Sequence, residues 1–210
     1  MRNQRDGLWL GLLALLLAGG HPAHAGVSVY RIDPTSSTVE VRTGKSGLFG
    51  GFGHSHEIAG SRLRGEVRAD EEKLSASSVD VTLEATSLKV LDRVKESEVA
   101  EIQHTMESDK VLDVSKFAVI RFRSTRVAGS GAKGQPYRLD LTGDLEFHGV
   151  TKQLQTPAEV TLDGDKLQAH GEFVVRQRDF GIRPFSGGLG MVKVANEVRI
   201  RFRIVARRRK

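Results

Sequence analysis

From Tyr137 to Phe147 the chain alternates between two kinds of position without a break. Tyr137, Leu139, Leu141, Gly143, Leu145 and Phe147 fall on one side, and Arg138, Asp140, Thr142, Asp144 and Glu146 fall on the other. Successive side chains of a strand point to opposite faces, so this segment reads as a β-strand with one apolar and one solvated face. Wound as a helix, it would scatter both classes around its circumference. The same alternation recurs along most of the chain, and so many one-sided strands must hide a continuous apolar surface.

The first strands are expected at Val27–Ile32, stopped by Asp33-Pro34, and at Ser37–Thr43. The stretch Gly44–Gly53 is rich in glycine yet carries Leu48, Phe49 and Phe52, which suits a mobile apolar loop or a bulged strand. His54–Ala59, Arg62–Arg68 and Ser78–Ala85 read as further strands. Then the period changes. Between Arg93 and Glu107 the apolar residues Val99, Ile102 and Met106 have helical spacing, and the segment is rich in Glu and free of Gly and Pro. One short helix is predicted here, lying across an opening of the sheet. Strands resume at Val119–Arg126 and Tyr137–Phe147, then near 152–162, 167–176 and 192–205.

About eight to ten strands, one helix and no βαβ rhythm define an all-β protein, an antiparallel barrel or sandwich. The length of the alternating runs favours a closed barrel, since long strands tilt and coil and closure removes exposed edges. A barrel of about eight strands is filled by side chains or holds one slender ligand. Gly143, Ala169 and Gly171 on the inward phase suggest spare room there. That phase is nearly free of charge, so a cavity would suit a hydrocarbon better than a sugar, nucleotide or metal ion.

The first residues stand apart from this pattern. Arg2 and Arg5 precede an apolar run, Leu8–Ala18, and a small-x-small site follows at Ala23-His24-Ala25. This is the layout of a secretory signal peptide, too short for a membrane span of about 20 residues. The expected organisation is a signal peptide at 1–25, one barrel domain at 26–206 and a basic tail at 207–210. The product would be periplasmic or secreted. There is no cysteine, so disulfides and a lipid-modified cysteine anchor are excluded. The net charge of +6 is modest and is partly placed in the terminal Arg207-Arg208-Arg209-Lys210 run. Elsewhere the basic residues occupy the polar phase of strands and are not interleaved with aromatics, which argues against nucleic-acid binding. The tail could make peripheral contact with an anionic membrane surface.

Candidate chemistry is sparse. There is no Gly-x-Ser-x-Gly elbow, phosphate-binding glycine loop or His-Glu-x-x-His helix, and the expectation is a protein without enzymatic activity and without a cofactor. His54 and His56, at i and i+2 of a strand, would share a face and could contribute two metal ligands. A full site needs more donors, and Glu57 points the other way. The simpler reading is hydrogen bonding near the barrel mouth, or contact with a ligand's polar head. Phe117, Phe122, Phe147, Phe173 and Phe180 read as core or as channel lining, which spacing alone does not separate.

Several segments resemble the YceI-like proteins. These are Tyr30-Arg31-Ile32-Asp33-Pro34-Thr35-Ser36-Ser37; the run from Val111 to Phe122, where the family commonly has proline at Ala118; Gly143-Asp144-Leu145-Glu146-Phe147-His148-Gly149-Val150-Thr151-Lys152; and Asp179-Phe180-Gly181-Ile182. They run in family order from Tyr30 to about Ile204. The resemblance implies a lipocalin-like barrel whose long internal pocket holds a polyisoprenoid chain, in exported bacterial proteins. The helix stretch Ile102-Gln103-His104-Thr105-Met106 and the segment Gly53-His54-Ser55-His56 depart from the usual family pattern. The expected ligand is therefore a long-chain apolar lipid, carried, stored or sequestered. The expected lining or mouth residues are Phe49, Phe52, His54, His56, Leu83, Ile102, Met106, Phe117, Phe122, Leu141, Phe147, Phe173 and Phe180. A gate is expected where the Gly44–Gly53 loop meets the helix. The alternative is a metal- or haem-linked redox accessory built on His54 and His56, and a third reading is a dry-cored structural protein. The sequence is silent on oligomeric state.

Overall fold

The computed structural model describes residues 26–45, 55–187 and 192–209. Its strands are β1 (Ser28–Ile32), β2 (Thr38–Lys45), β3 (Glu57–Gly60), β4 (Leu63–Ala69), β5 (Ser78–Glu84), β6 (Lys89–Val90), β7 (Val119–Ser130), β8 (Tyr137–Phe147), β9 (Val150–Asp163), β10 (Lys166–Arg176), β11 (Ser186–Gly187) and β12 (Val192–Arg208). A helix, α1 (Glu96–Glu107), lies between β6 and β7. Eight strands close a ring in the order β1-β4-β5-β7-β8-β9-β10-β12 and back to β1. Every pairing is antiparallel. The protein is an antiparallel β-barrel.

The remaining wall is built on one strand shared by two partners. β1 pairs with the end of β12, from Ala206 to Arg208, whereas β2 pairs with its earlier part, from Val194 to Arg203. The break between β1 and β2 is local chemistry. Asp33 accepts hydrogen bonds from the Thr35 amide at 3.0 Å and hydroxyl at 2.7 Å, and from the Ser36 hydroxyl at 3.1 Å, which turns the chain. These bonds hold the Asp33 carboxyl below its ordinary pKa. Between the two strands Val205 O accepts from Asp33 N at 2.8 Å, and Val205 N would lack a partner. Buried Ser37 supplies one: its hydroxyl donates to Val205 O at 3.1 Å and accepts from Val205 N at 3.0 Å. β3 then pairs with β2, and β6 with β3, so β2, β3 and β6 form a flap continuing the wall above the closed ring.

α1 finishes the free edge of that flap. The Gln103 side chain accepts from Val90 N at 2.9 Å and donates to Leu88 O at 2.9 Å, standing in for a further strand. Val99, Ile102 and Met106 pack the helix onto the main core cluster with Leu88 and Val90. Glu96 and Glu98 sit in its first turn, where negative charge complements the helix dipole. The helix starts at Glu96 and not at Arg93. Leu91 N bonds to Glu57 O at 2.7 Å and Asp92 is tied to the start of β3, so the preceding residues are held extended.

Two expectations change. The boundary at 206 falls inside β12: Arg207 and Arg208 pair with Arg31 and Tyr30, and the Arg208 guanidinium donates to the Tyr30 hydroxyl at 3.0 Å. These two residues are barrel wall, not tail, because β1 supplies them with a ladder. Nor do the inward glycines leave space. A Cβ on Gly143 would meet the Phe122 ring at 2.6 Å, and one on Gly171 would meet the Phe202 ring at 2.5 Å. Each glycine admits an aromatic ring from the neighbouring strand, a relation that one strand's own pattern does not show.

Candidate functional site

The inward phase encloses a cavity of about 280 Å³ with an almost wholly apolar wall. Val198, Ile200, Phe202 and Ile204 of β12 line it along its length, a distance of roughly 20 Å along the strand at about 3.3 Å per residue. The opposite wall comes from Val81 and Leu83 of β5, Ile120 and Phe122 of β7, and Leu139, Leu141 and Leu145 of β8. The barrel is thus neither dry-packed nor polar inside, but an apolar container.

Of the residues expected to line a pocket, Leu83, Met106, Phe122, Leu141, Phe147 and Phe173 do line this cavity. Ile102 packs on the core from α1, beside Met106 but behind the cavity wall. Phe180 is buried in a second cluster with Leu145, Val175 and Val198, its ring 5.3 Å from that of Phe147, so it braces the wall from behind. Phe117 lies outside the cavity as well, its ring 4.4 Å from that of His148 and tilted 49° to it. It covers the β8–β9 hairpin, whose His148 (φ 52°) and Gly149 (φ 72°) make a tight two-residue turn. Phe49, Phe52 and His54, and with them the loop half of the expected gate, lie outside the described residues.

His56 does not reach the cavity lining. Its Nδ1 is 2.5 Å from the Asp92 carboxylate, and the other Asp92 oxygen accepts from Glu57 N at 2.8 Å. The histidine is a clasp between β3 and the approach to α1. Among the described residues no three His, Asp or Glu side chains gather in a way that could hold a metal ion.

The sequence reading missed the polar groups of the cavity, which sit mainly at its two ends. At the end closed by the β4–β5 loop are Glu71, Ser77 and Tyr137. Tyr137 is only 2% exposed, and its hydroxyl donates to the Glu71 carboxylate at 2.9 Å. Burial, and then the bond to Glu71, push its pKa up to about 12. Asp70 shapes the loop by accepting from Glu72 N at 3.0 Å and Lys73 N at 2.7 Å, which directs Leu74 into the cavity. At the α1 end are Thr43 and Gln177. Thr156 is placed partway along β9. Thr43 and Thr156 follow the inward phase of their strands and were legible as such. Gln177 opens a 3-10 turn (Gln177–Phe180), where no periodicity marks a direction.

The outer phase carries the charge. Arg121 makes a two-pronged contact with Asp80, at 2.9 and 2.6 Å, which holds the Asp80 carboxyl below its usual range. Glu172 bridges Arg201 at 2.5 Å and Arg199 at 3.4 Å, with the same consequence for its carboxyl. The basic residues of β12 thus belong in part to a cross-strand ladder of ion pairs.

Comparison with known proteins places this architecture. A family model described as the YceI-like domain matches residues 30–206. A UPF0312 protein of Vibrio parahaemolyticus is 35% identical over 95 residues, 45% of this chain and 44% of that protein. Another, from Pseudomonas fluorescens, is 33% identical over 120 residues, 54% of this chain and 57% of its own length. The chain thus spans about half the length of these curated relatives. Among solved structures, Burkholderia cenocepacia BcnA aligns with a TM-score of 0.66 at 19% identity, covering 83% of this chain and 98% of its own. A polyisoprenoid binding domain from Saccharophagus degradans aligns with a TM-score of 0.63 at 13% identity, covering 86% and 98%. At such identities the two structures speak for the fold.

Proposed function

This chain belongs to the YceI-like family, and from that premise we propose that it is a lipid-binding protein that holds one long apolar chain inside its barrel. The observation that carries this reading is the apolar cavity of about 280 Å³ running along the barrel. Burying hydrocarbon in such a space is worth roughly 0.8 kcal/mol per methylene, offset in part by ordering a flexible chain. Tight binding therefore needs little polar recognition. A polyisoprenoid is the ligand class we favour, in keeping with the name given to the Saccharophagus degradans neighbour.

The reading is one of binding: among the described residues the cavity wall offers hydrocarbon along its length and polar groups mainly at its ends. The Leu8–Ala18 run and the Ala23-His24-Ala25 site support export with cleavage before Gly26, hence a periplasmic or secreted carrier, store or sink for its ligand. Protein isolated from its native cells and extracted into organic solvent should yield a prenyl lipid by mass spectrometry. The intact mass of the same sample should correspond to a chain starting at Gly26. Repeated preparations with no lipid, together with no uptake of added prenyl compounds, would reject the binding role. A retained N-terminal segment would reject export by cleavage.

A further inference from the structure

Two aromatic rings of the cavity wall are placed so as to set its width. Phe122 is on β7 and Phe202 on β12, the fourth and eighth strands of the eight-strand ring, so they rise from opposite walls. Both line the cavity. They stand at one level, because both pack against the cluster of Val127, Leu141 and Ala158. The two rings do not stack on one another, and the lumen passes between them. Each ring leans along the wall instead of across it, and a glycine makes that possible. The outer end of Phe122 lies over Gly143 of β8, where a Cβ would meet it at 2.6 Å, and that of Phe202 over Gly171 of β10, at 2.5 Å. A side chain in either place would turn the ring into the lumen. Glycine weakens a strand interior, and here the loss keeps a passage open.

The rings are held where they are. Phe202 is braced by Phe173, the ring centroids 6.3 Å apart and the planes tilted by 44°. Phe122 is wedged between two clusters, packing also against the one that contains Leu145 and Phe180. Close-packed side chains of this kind yield little to an added volume. The space is correspondingly narrow: a cavity of about 280 Å³ spread over roughly 20 Å of strand is one hydrocarbon chain wide.

Resting on the lipid-binding reading above, we propose that Phe122 and Phe202 form a waist that selects the ligand by its girth. A single open chain passes between the rings and reaches both ends of the cavity. A molecule whose chain is closed into fused rings, or one with two acyl chains side by side, is stopped at the waist and buries only part of its apolar surface. The two phenylalanines are thus specificity-determining residues that act by excluding the wider competitor.

The test compares two isomeric diterpene alcohols, geranyllinalool and manool. They share a head and a carbon number, and differ in that the far half is an open chain in the first and two fused rings in the second. Each is titrated into lipid-stripped protein, and the bound fraction is read by native mass spectrometry. Geranyllinalool should bind about tenfold tighter than manool. The double variant Phe122→Leu, Phe202→Leu should bring that ratio to about twofold or less by tightening manool, with geranyllinalool changed little. A general loss of packing would weaken both alcohols and leave the ratio alone, so the ratio separates a waist from a merely structural role. The single variants, judged by the same ratio, stand in if the double variant does not fold. Manool binding as tightly as geranyllinalool to the unmodified protein would overturn the waist and leave the lipid reading standing. An unchanged ratio in the folded variants would overturn it too. Binding of neither alcohol would reject the lipid reading, and the waist with it.

Discussion

The two ends of the barrel are built from similar materials put to opposite uses. At the end closed by the β4–β5 loop, polar groups consume one another: Tyr137 with Glu71, Tyr30 with Arg208, Ser77 with Asp70. The Arg208 guanidinium also lies over the Tyr30 ring, 5.5 Å from its centroid. At the α1 end the wall is the flap of β2, β3 and β6, fastened at its edge by Gln103 and the His56–Asp92 clasp. We propose that the satisfied end is a floor and that the wall fastened by a few side chains is a door.

The largest expected effect tests the floor. Tyr137→Ala should cost about 3–5 kcal/mol by urea denaturation, because it empties a fully buried aromatic site. A smaller loss than Met106→Ala causes at the other end would undo the comparison. Alkaline pH tests the same residue through its hydroxyl. The fold raises the Tyr137 pKa from 10.0 to about 12, so its contribution is complete below pH 10 and is lost as pH rises through 12. The loss should be about 3 kcal/mol. A pH titration of stability should show this step and Tyr137→Phe should lack it.

Gln103→Leu tests the door. It leaves Val90 N and Leu88 O unpaired, costs about 2 kcal/mol, and should speed entry of the apolar dye N-phenyl-1-naphthylamine and hydrogen exchange at Val90. Equal exchange rates in a folded variant would mean that α1 is no part of the entrance. Smallest is Tyr137→Phe at neutral pH, about 1 kcal/mol of stability with no change in dye exchange, since the floor is not the route.

How far the sequence reveals such a molecule depends on the range of the interaction that decides each feature. Tyr137–Phe147 is read to the residue because a strand wetted on one face writes its boundaries in its own side chains. The stop at Asp33-Pro34 is also local, written in the Asp33 turn. The helix start is not: Lys95 provides no side-chain cap, and what delays the helix is the pull of β3 on Leu91 and Asp92. Gly143 and Gly171 suggest empty space because the rings of Phe122 and Phe202 belong to other strands. In the site, Leu83, Phe122, Leu141, Phe147 and Phe173 follow from strand phase, and Met106 from helical spacing. Phe117 and Phe180 share the same chemistry but sit in turns packed behind the wall, where phase says nothing. Gln177 and Glu71 are missed for the same reason.

The pairing of β1 with the last residues of β12 bears on the order of events when the chain folds. Tyr30 meets Arg208 across nearly the whole sequence, whereas β7, β8 and β9 are joined as successive hairpins. Local hairpins form early, and contacts that close a long loop form late and slowly. A folding chain can therefore assemble the meander of β7, β8 and β9, but it has no closed barrel until β12 pairs with β1. Until then the inner apolar face is exposed, open to a chaperone or to a lipid that the barrel could close around.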